Sequence, residues 1–137
     1  EHRDQGSQER ELMANLSEEI TGYVSGDDLR VDRTITGLES PIEKAWLTVK
    51  RHVRQPDDEA QVRKTVTTVE SEDGQVVTAG GPEESGEIRF LLTAADTESL
   101  SGREWVFDIQ ILLEDGSLYT TDKGTIQLTP GVTKATE

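Results

Sequence analysis

The sequence has 137 residues, the length of about one domain, and 32% of them are hydrophobic. Its 28 Asp and Glu residues against 14 Lys and Arg give a formal net charge of -14, which disfavours binding to nucleic-acid phosphates and anionic membranes. The absence of cysteine excludes disulfides, thiolate zinc sites and thiol nucleophiles, and no apolar run approaches the roughly 20 residues of a membrane-spanning helix. We therefore expect a soluble protein that binds neither nucleic acid nor membrane.

The beginning of the chain, residues 1–18, is polar and contains little that a core could bury. Such a composition is typical of an arm outside the folded domain. We predict that residues 1–18 form a flexible or partner-bound arm, residues 19–133 a β domain, and residues 134–137 a short tail.

From Glu19 onward, short apolar or alternating segments are separated by turn residues at intervals of about ten, which is typical of a β-sandwich or barrel. The spacing predicts roughly seven to nine strands over this length. In the second of them, Leu29, Val31 and Ile35 alternate with polar residues and predict a buried face.

The segment after Pro41 has two different faces. Ala45, Leu47 and Val49 alternate along it and predict an inner face. The opposite side of the same predicted strand carries Trp46, Lys50, His52 and Arg54. An aromatic ring among cations in an acidic chain favours a docking surface for an acidic partner. The alternative is that the arm or a loop covers Trp46 and that the cations balance nearby carboxylates.

Short sequence patterns in the middle of the chain predict a strand, a turn and a helical turn. Residues 61–69 are rich in Thr and Val, which favours a strand, and Asp73-Gly74 predicts a tight hairpin turn after it. Thr93, followed three residues later by Asp96, is a weak form of the capping box and predicts one helical turn.

The stretch from residue 105 onward predicts the central and closing strands. One unbroken apolar face, on a strand whose other face is also partly apolar, indicates a strand flanked on both sides. Its members are Trp105, Phe107, Ile109, Ile111 and Leu113. Asp115-Gly116 predicts the turn, and Gly124 predicts a bulge in the returning strand, whose Ile126 and Leu128 point inward.

The sequence offers few groups for catalysis. The histidines are His2 in the arm and His52 among cationic neighbours, and no glycine-framed serine of the nucleophile-elbow type is present. No EF-hand loop or phosphate-binding glycine loop is present either. We predict no enzymatic activity, no cofactor and no metal site. A calcium site assembled from two acidic loops is the alternative that stays open.

Three segments resemble small immunoglobulin-like proteins of tailed bacteriophages, which are related to the N-terminal domains of baseplate upper proteins. The segments are GDDLRVDRTITG (residues 26–37), LTAADTESLSGREWVFDIQILLEDGSLYT (residues 92–120) and KGTIQLTPGVT (residues 123–133). The family commonly has a tyrosine at the position of Trp105, where a tyrosine can hydrogen-bond the corner before its strand. We expect Trp105 to make a similar bond through its indole N–H.

The resemblance implies an immunoglobulin-like antiparallel β-sandwich with a non-enzymatic structural role in a phage virion, as an adaptor at the tail, baseplate or neck. It also implies synthesis in the host bacterial cytoplasm, a final place in the virion tail or outer surface, and contacts with other virion proteins in symmetric multi-copy assembly, a homo-oligomer included. Two alternatives stay open. One is a decoration protein on the capsid exterior, and the other is a carbohydrate-binding sandwich with Trp46, Tyr23 or Tyr119 as its rings.

Overall fold

The computed structural model describes residues 15–20, 26–52, 54–100 and 102–129. This part of the chain holds eight strands, one helix and one 3-10 turn. The strands are β1 (Asn15–Ile20), β2 (Leu29–Ile35), β3 (Ile42–Lys50), β4 (Val62–Thr67), β5 (Gly74–Thr78), β6 (Gly86–Leu92), β7 (Glu104–Leu113) and β8 (Leu118–Gln127). The helix is α1 (Ala94–Ser99), and the 3-10 turn covers Asp57–Glu59.

The strands form a larger sheet with the order β1-β8-β7-β3-β4 and a smaller sheet with the order β2-β6-β5. Every pair is antiparallel except β1 with β8, which run parallel. In this order β2, β6 and β5 take the places of strands B, E and D of an immunoglobulin domain, and β3, β7 and β8 those of C, F and G. The predicted all-β, immunoglobulin-like sandwich is confirmed, and the parallel edge strand β1 is an addition to the expected antiparallel pattern.

Alternation along the strands builds the core between the two sheets. β7 pairs with both β3 and β8, as expected of a central strand, and all five inward residues predicted for it are buried. From the smaller sheet, Val31 and Phe90 lie opposite each other in the register of β2 and β6, and both are buried. Three of the chain's few aromatic rings, Phe90, Trp105 and Phe107, are therefore used inside the core.

The connection between β6 and β7 is a corner fixed by two sets of hydrogen bonds. Thr93 caps α1: Asp96 N donates to Thr93 Oγ1 (3.2 Å), and Thr93 N donates to Asp96 Oδ2 (2.9 Å). At the start of β7, Trp105 Nε1 donates to the carbonyl oxygen of Leu100 (2.8 Å). The predicted capping box and the predicted indole bond are both confirmed, so a tryptophan does here what a corner tyrosine does in related sandwiches.

The bulge in β8 was predicted at Gly124, and that position is wrong. Gly124 pairs in regular register with Phe107, and the register shifts instead between Ile109 and Gln110 of β7. Thr121 is the residue of β8 that has no paired residue on β7 at this shift, and both Thr121 and Asp122 are buried. A bulge places two residues against one, which is how two consecutive polar side chains come to be buried.

The turn predicted at Asp73-Gly74 is present, since Ser71 and Gly74 exchange two backbone hydrogen bonds (2.9 and 3.2 Å). It does not join β4 and β5 in one hairpin, because these strands belong to different sheets. The segment between them crosses the open side of the sandwich, and Thr65 N of β4 donates to Asp73 Oδ2 (3.1 Å), which blocks part of the β4 edge. Gly74 has a φ of 132° and approaches the next strand so closely that a Cβ built on it lies 1.9 Å from Arg89 O. The Asp-Gly signal thus marks a tight turn at a close crossing between the two sheets.

β1 begins at Asn15, inside the range predicted as the arm. It pairs with β8 from Asn15 opposite Asp122 to Ile20 opposite Ile126. The rest of the predicted arm, residues 1–14, and the predicted tail, residues 134–137, lie outside the described residues.

Candidate functional site: the Trp46 face

The side chains predicted as an interface lie on or beside the outer face of the larger sheet. In β3, Ala45, Leu47 and Val49 are buried against the core, so the alternate positions point away from it. The outward positions of β3, the residues paired to them on β4 and β7, and the outward residues of β8 together form one surface. We call this surface the Trp46 face. On β3 its residues are Lys44, Trp46, Thr48 and Lys50.

Trp46 lies near the middle of this face. In the strand register it is flanked by Thr65 of β4 and Gln110 of β7, and its side chain is half-buried. Lys44 Nζ lies 5.9 Å from the centroid of the indole ring, within the range of a cation–π contact. Gln110 Nε2 in turn donates to Thr120 Oγ1 of β8 (3.4 Å). The centre of the face is thus an aromatic ring surrounded by amide, hydroxyl and ammonium groups.

Only two of the four predicted interface residues lie on β3. Trp46 and Lys50 both lie on β3, but the strand ends at Lys50, so His52 and Arg54 belong to the turn that follows it. Both of these side chains are exposed, and His52 O accepts a hydrogen bond from Gln55 N (3.1 Å) in that turn. The prediction that all four residues fall on one strand face is therefore wrong for His52 and Arg54, because the chain leaves the sheet after Lys50.

Strand pairing adds residues to the face that sequence reasoning missed. Arg63 of β4 and Asp108 of β7 flank Thr48, and Lys123 of β8 pairs with Asp108. Thr48 itself is only 5% exposed although it points outward. The alternation of β7 signals an outward Asp108, but which residues on other strands lie beside it depends on register, which no single segment encodes.

The Trp46 face has the opposite charge to the rest of the chain. We count the residues that lie side by side across the strands, from those level with Lys44 to those level with Lys50. This part of the face holds four cations and one carboxylate, a formal charge of about +3, whereas the chain as a whole carries -14. The cations are Lys44, Lys50, Arg63 and Lys123, and the carboxylate is Asp108.

An ion pair inside the sandwich is a second polar cluster. Arg33 Nε of β2 lies 2.6 Å from Asp122 Oδ2 of β8, and the Asp122 side chain is fully buried. Asp122 Oδ1 has no hydrogen-bond partner among the described residues. Because the two residues lie on different sheets, this pair joins the sheets across the core, and its geometry is that of a structural contact rather than of an exposed reactive site.

A shallow groove lies at the end of the smaller sheet. Its volume is about 460 Å³, and it is lined by Asp28, Leu29, Arg30, Glu72, Leu91, Leu92 and Thr93. Its polar members Arg30 and Glu72 are exposed to solvent. The groove therefore offers an apolar floor without converging buried polar groups, which a specific small-molecule site requires.

Among the described residues no group of three or more His, Cys, Asp or Glu side chains is arranged to hold a metal ion. In the same part of the chain no helix combines the length and the apolar character that crossing a membrane takes.

Comparisons with known proteins add little to this picture. No protein-family model matches the chain, and no curated protein matches it. Among solved structures, it is similar to ACE19, the collagen-binding subdomain of the Enterococcus faecalis surface protein ACE, at 14% identity. That match covers 81% of this chain and 92% of ACE19 with a TM-score of 0.24. The immunoglobulin-like assignment therefore rests on the strand order of this chain, and the site has to be interpreted from its own residues.

Proposed function

We propose that this chain is a non-enzymatic structural component of a tailed-phage virion, an adaptor at the tail, baseplate or neck that makes protein contacts through the Trp46 face. The observation that supports it most directly is a half-buried tryptophan with an ammonium group beside its ring on the outer face of the larger sheet. Aromatic and arginine side chains are enriched in protein interfaces over the rest of the surface. A contact surface, rather than a reaction centre, is what these groups favour.

The resemblance to phage proteins supports the placement in a virion. Its three segments correspond to β2, to the run from the end of β6 through α1 and β7 into β8, and to the rest of β8. These are core-forming elements, so the likeness concerns the scaffold. Trp46 lies on β3, outside all three segments, and we assign to this face the contacts that are particular to this chain.

The shape of the face favours a protein over a small ligand. Its residues lie on four adjacent antiparallel strands, and Trp46 is the one aromatic ring among its described residues. A carbohydrate site usually needs exposed rings beside polar groups in a concave site. Tyr119 packs against the core and Tyr23 lies outside the described residues, so the carbohydrate-binding alternative rests on Trp46.

Incorporation into particles tests this proposal. We expect wild-type protein to be found in purified virions by cryo-electron microscopy at the tail, baseplate or neck, with the Trp46 face against a neighbouring chain. The double variant Trp46→Ser/Lys44→Glu should fold but be lost from particles. The matched control is Val69→Ser, a substitution of an exposed apolar residue in the connection between β4 and β5, which should be incorporated normally.

Three results would contradict the proposal: purified virions without the protein, normal incorporation of the double variant, or a density on the capsid exterior. The last would favour the decoration-protein alternative. Binding of specific glycans on an array, abolished by Trp46→Ser, would favour the carbohydrate-binding alternative.

A further inference from the structure

The charges of this protein are segregated by surface. The Trp46 face is positive, whereas three loops at one end of the sandwich, residues 36–41, 79–85 and 114–117, contain acidic residues and no Lys, Arg or His. We call this end the acidic end. Its carboxylates belong to Glu39, Glu83, Glu84, Glu114 and Asp115, and all five side chains are exposed.

Backbone hydrogen bonds hold the three loops together. Ile42 N donates to Ala79 O (2.9 Å), and Glu114 N donates to Pro41 O (2.8 Å), so the loop before β3 contacts both of the others. In the last loop, the backbone N–H of Ser117 donates to the Asp115 carboxylate (2.8 Å) and lowers its pKa from the usual aspartate value. The acidic end is therefore a fixed surface of one sign.

We infer that the Trp46 face docks the acidic end of a second copy of this chain, an assignment that rests on the proposed role as a multi-copy virion protein. Charge complementarity selects this occupant. Most orientations of two copies are opposed by the net charge of -14, whereas this one sets a face with a formal charge of about +3 against five carboxylates. Opposite charges thus favour one orientation, and like charges disfavour the others.

The positions of the two surfaces determine the kind of assembly. The Trp46 face lies on the side of the sandwich, and the acidic end lies where its strands end. A contact between two different surfaces is heterologous, so each copy has one unused face and one unused end. Repetition gives a closed ring or an open helical array rather than a two-fold dimer. A ring is the arrangement that an adaptor around a tail axis needs.

Crosslinking and sedimentation test the contact on the full-length purified protein at raised concentration. A carbodiimide, which joins an amine to a carboxylate without a spacer, should produce intermolecular links from Lys44 or Lys123 to Glu83, Glu84 or Glu114. Sedimentation velocity should show association that grows with concentration and weakens at high salt, because the attracting charges are exposed.

Charge reversal gives the sharpest test. Lys44→Glu/Lys123→Glu should weaken association by about tenfold or more, and so should Glu83→Lys/Glu84→Lys. An equimolar mixture of the two variants should associate, because each reversed surface then meets a complementary one. The matched control is Arg30→Glu/Arg89→Glu, which changes the net charge as much as the first variant but on the outer face of the other sheet, and should associate like wild type.

Wild-type protein that stays monomeric at every concentration and salt, links confined to other surfaces, or two variants that fail to associate when mixed would overturn the inference. The proposed function has a separate readout. If cryo-electron microscopy of virions places a different protein on the Trp46 face, the adaptor role stands and the second copy is excluded; if virions lack the chain, the adaptor role fails.

Discussion

The two described tryptophans lie on neighbouring strands of the same sheet and have opposite surroundings. Trp105 points into the sandwich, is 5% exposed, donates its indole hydrogen to Leu100 O and has the Arg103 guanidinium 5.3 Å from its ring centroid. Trp46 points outward, is half-buried and has the Lys44 ammonium 5.9 Å from its ring centroid. The face of the strand, and not the residue type, decides whether a ring stabilises the fold or is available to a partner.

The largest effect separating the two rings is expected from Trp105→Ala. Removing this buried ring leaves a cavity and an unpaired Leu100 carbonyl, which should lower the free energy of unfolding by about 3–5 kcal/mol. Urea unfolding followed by far-ultraviolet circular dichroism measures it. Trp105→Phe keeps most of the ring and loses only the donor, so it should cost about 1–3 kcal/mol. A wild-type midpoint for both variants would contradict the role of the corner bond.

A similar contrast holds between buried and exposed arginines. Arg33→Met leaves the buried Asp122 carboxylate without its partner and should cost about 3 kcal/mol, because an uncompensated charge inside a protein is strongly destabilising. Arg30→Met removes an exposed partner of Asp32 and should cost at most about 1 kcal/mol. Equal unfolding midpoints for the two variants would show that the pair does not join the sheets energetically.

The corner that carries Trp105 should also respond to acid. Desolvation raises the pKa of Asp96, but the hydrogen bond from Lys64 and the bonds from Thr93 outweigh it and lower the pKa below 3.8. A lowered folded-state pKa stabilises the protein above the unfolded value near 4, and this contribution is lost as the pH falls through the folded value.

Asp96→Asn should therefore lower stability by about 1 kcal/mol at neutral pH, the usual size of a helix-cap effect. The difference from wild type should shrink below about pH 4. Unfolding midpoints measured across this range check it, with Glu98→Gln, an exposed position on the same helix, as the control. A difference that is constant with pH would exclude the charged carboxylate as the cause.

The smallest change in stability is expected from Trp46→Phe, within about 0.5 kcal/mol, because the side chain is outside the core. The difference between the two rings should appear instead in how accessible each remaining tryptophan is to a quencher in solution. In Trp105→Phe, the remaining Trp46 fluorescence should be quenched strongly by acrylamide, whereas in Trp46→Phe the remaining Trp105 should be protected. Equal quenching of the two rings would contradict the contrast between them.

Much of the scaffold could be predicted from local patterns. The alternation in β2 and β7, the capping box of Thr93 and Asp96, and the indole bond of Trp105 are confirmed, because each depends on residues close together in the chain. Gly124 misled the prediction of the bulge, and Asp73-Gly74 marks a real turn that does not join two strands of one sheet. In both cases the local signal was real, but pairing between distant strands decided which residue bulges and where the chain crosses.

The sequence by itself determined that the chain is a β protein, which side of each long strand is buried, and that it is strongly acidic, because side-chain period and composition are local properties. Only the tertiary structure decided that Lys44, Arg63 and Lys123 share a surface with Trp46, that Arg33 reaches Asp122, and that His52 and Arg54 lie beyond the strand. These juxtapositions depend on register and sheet order, which are fixed when the whole core packs.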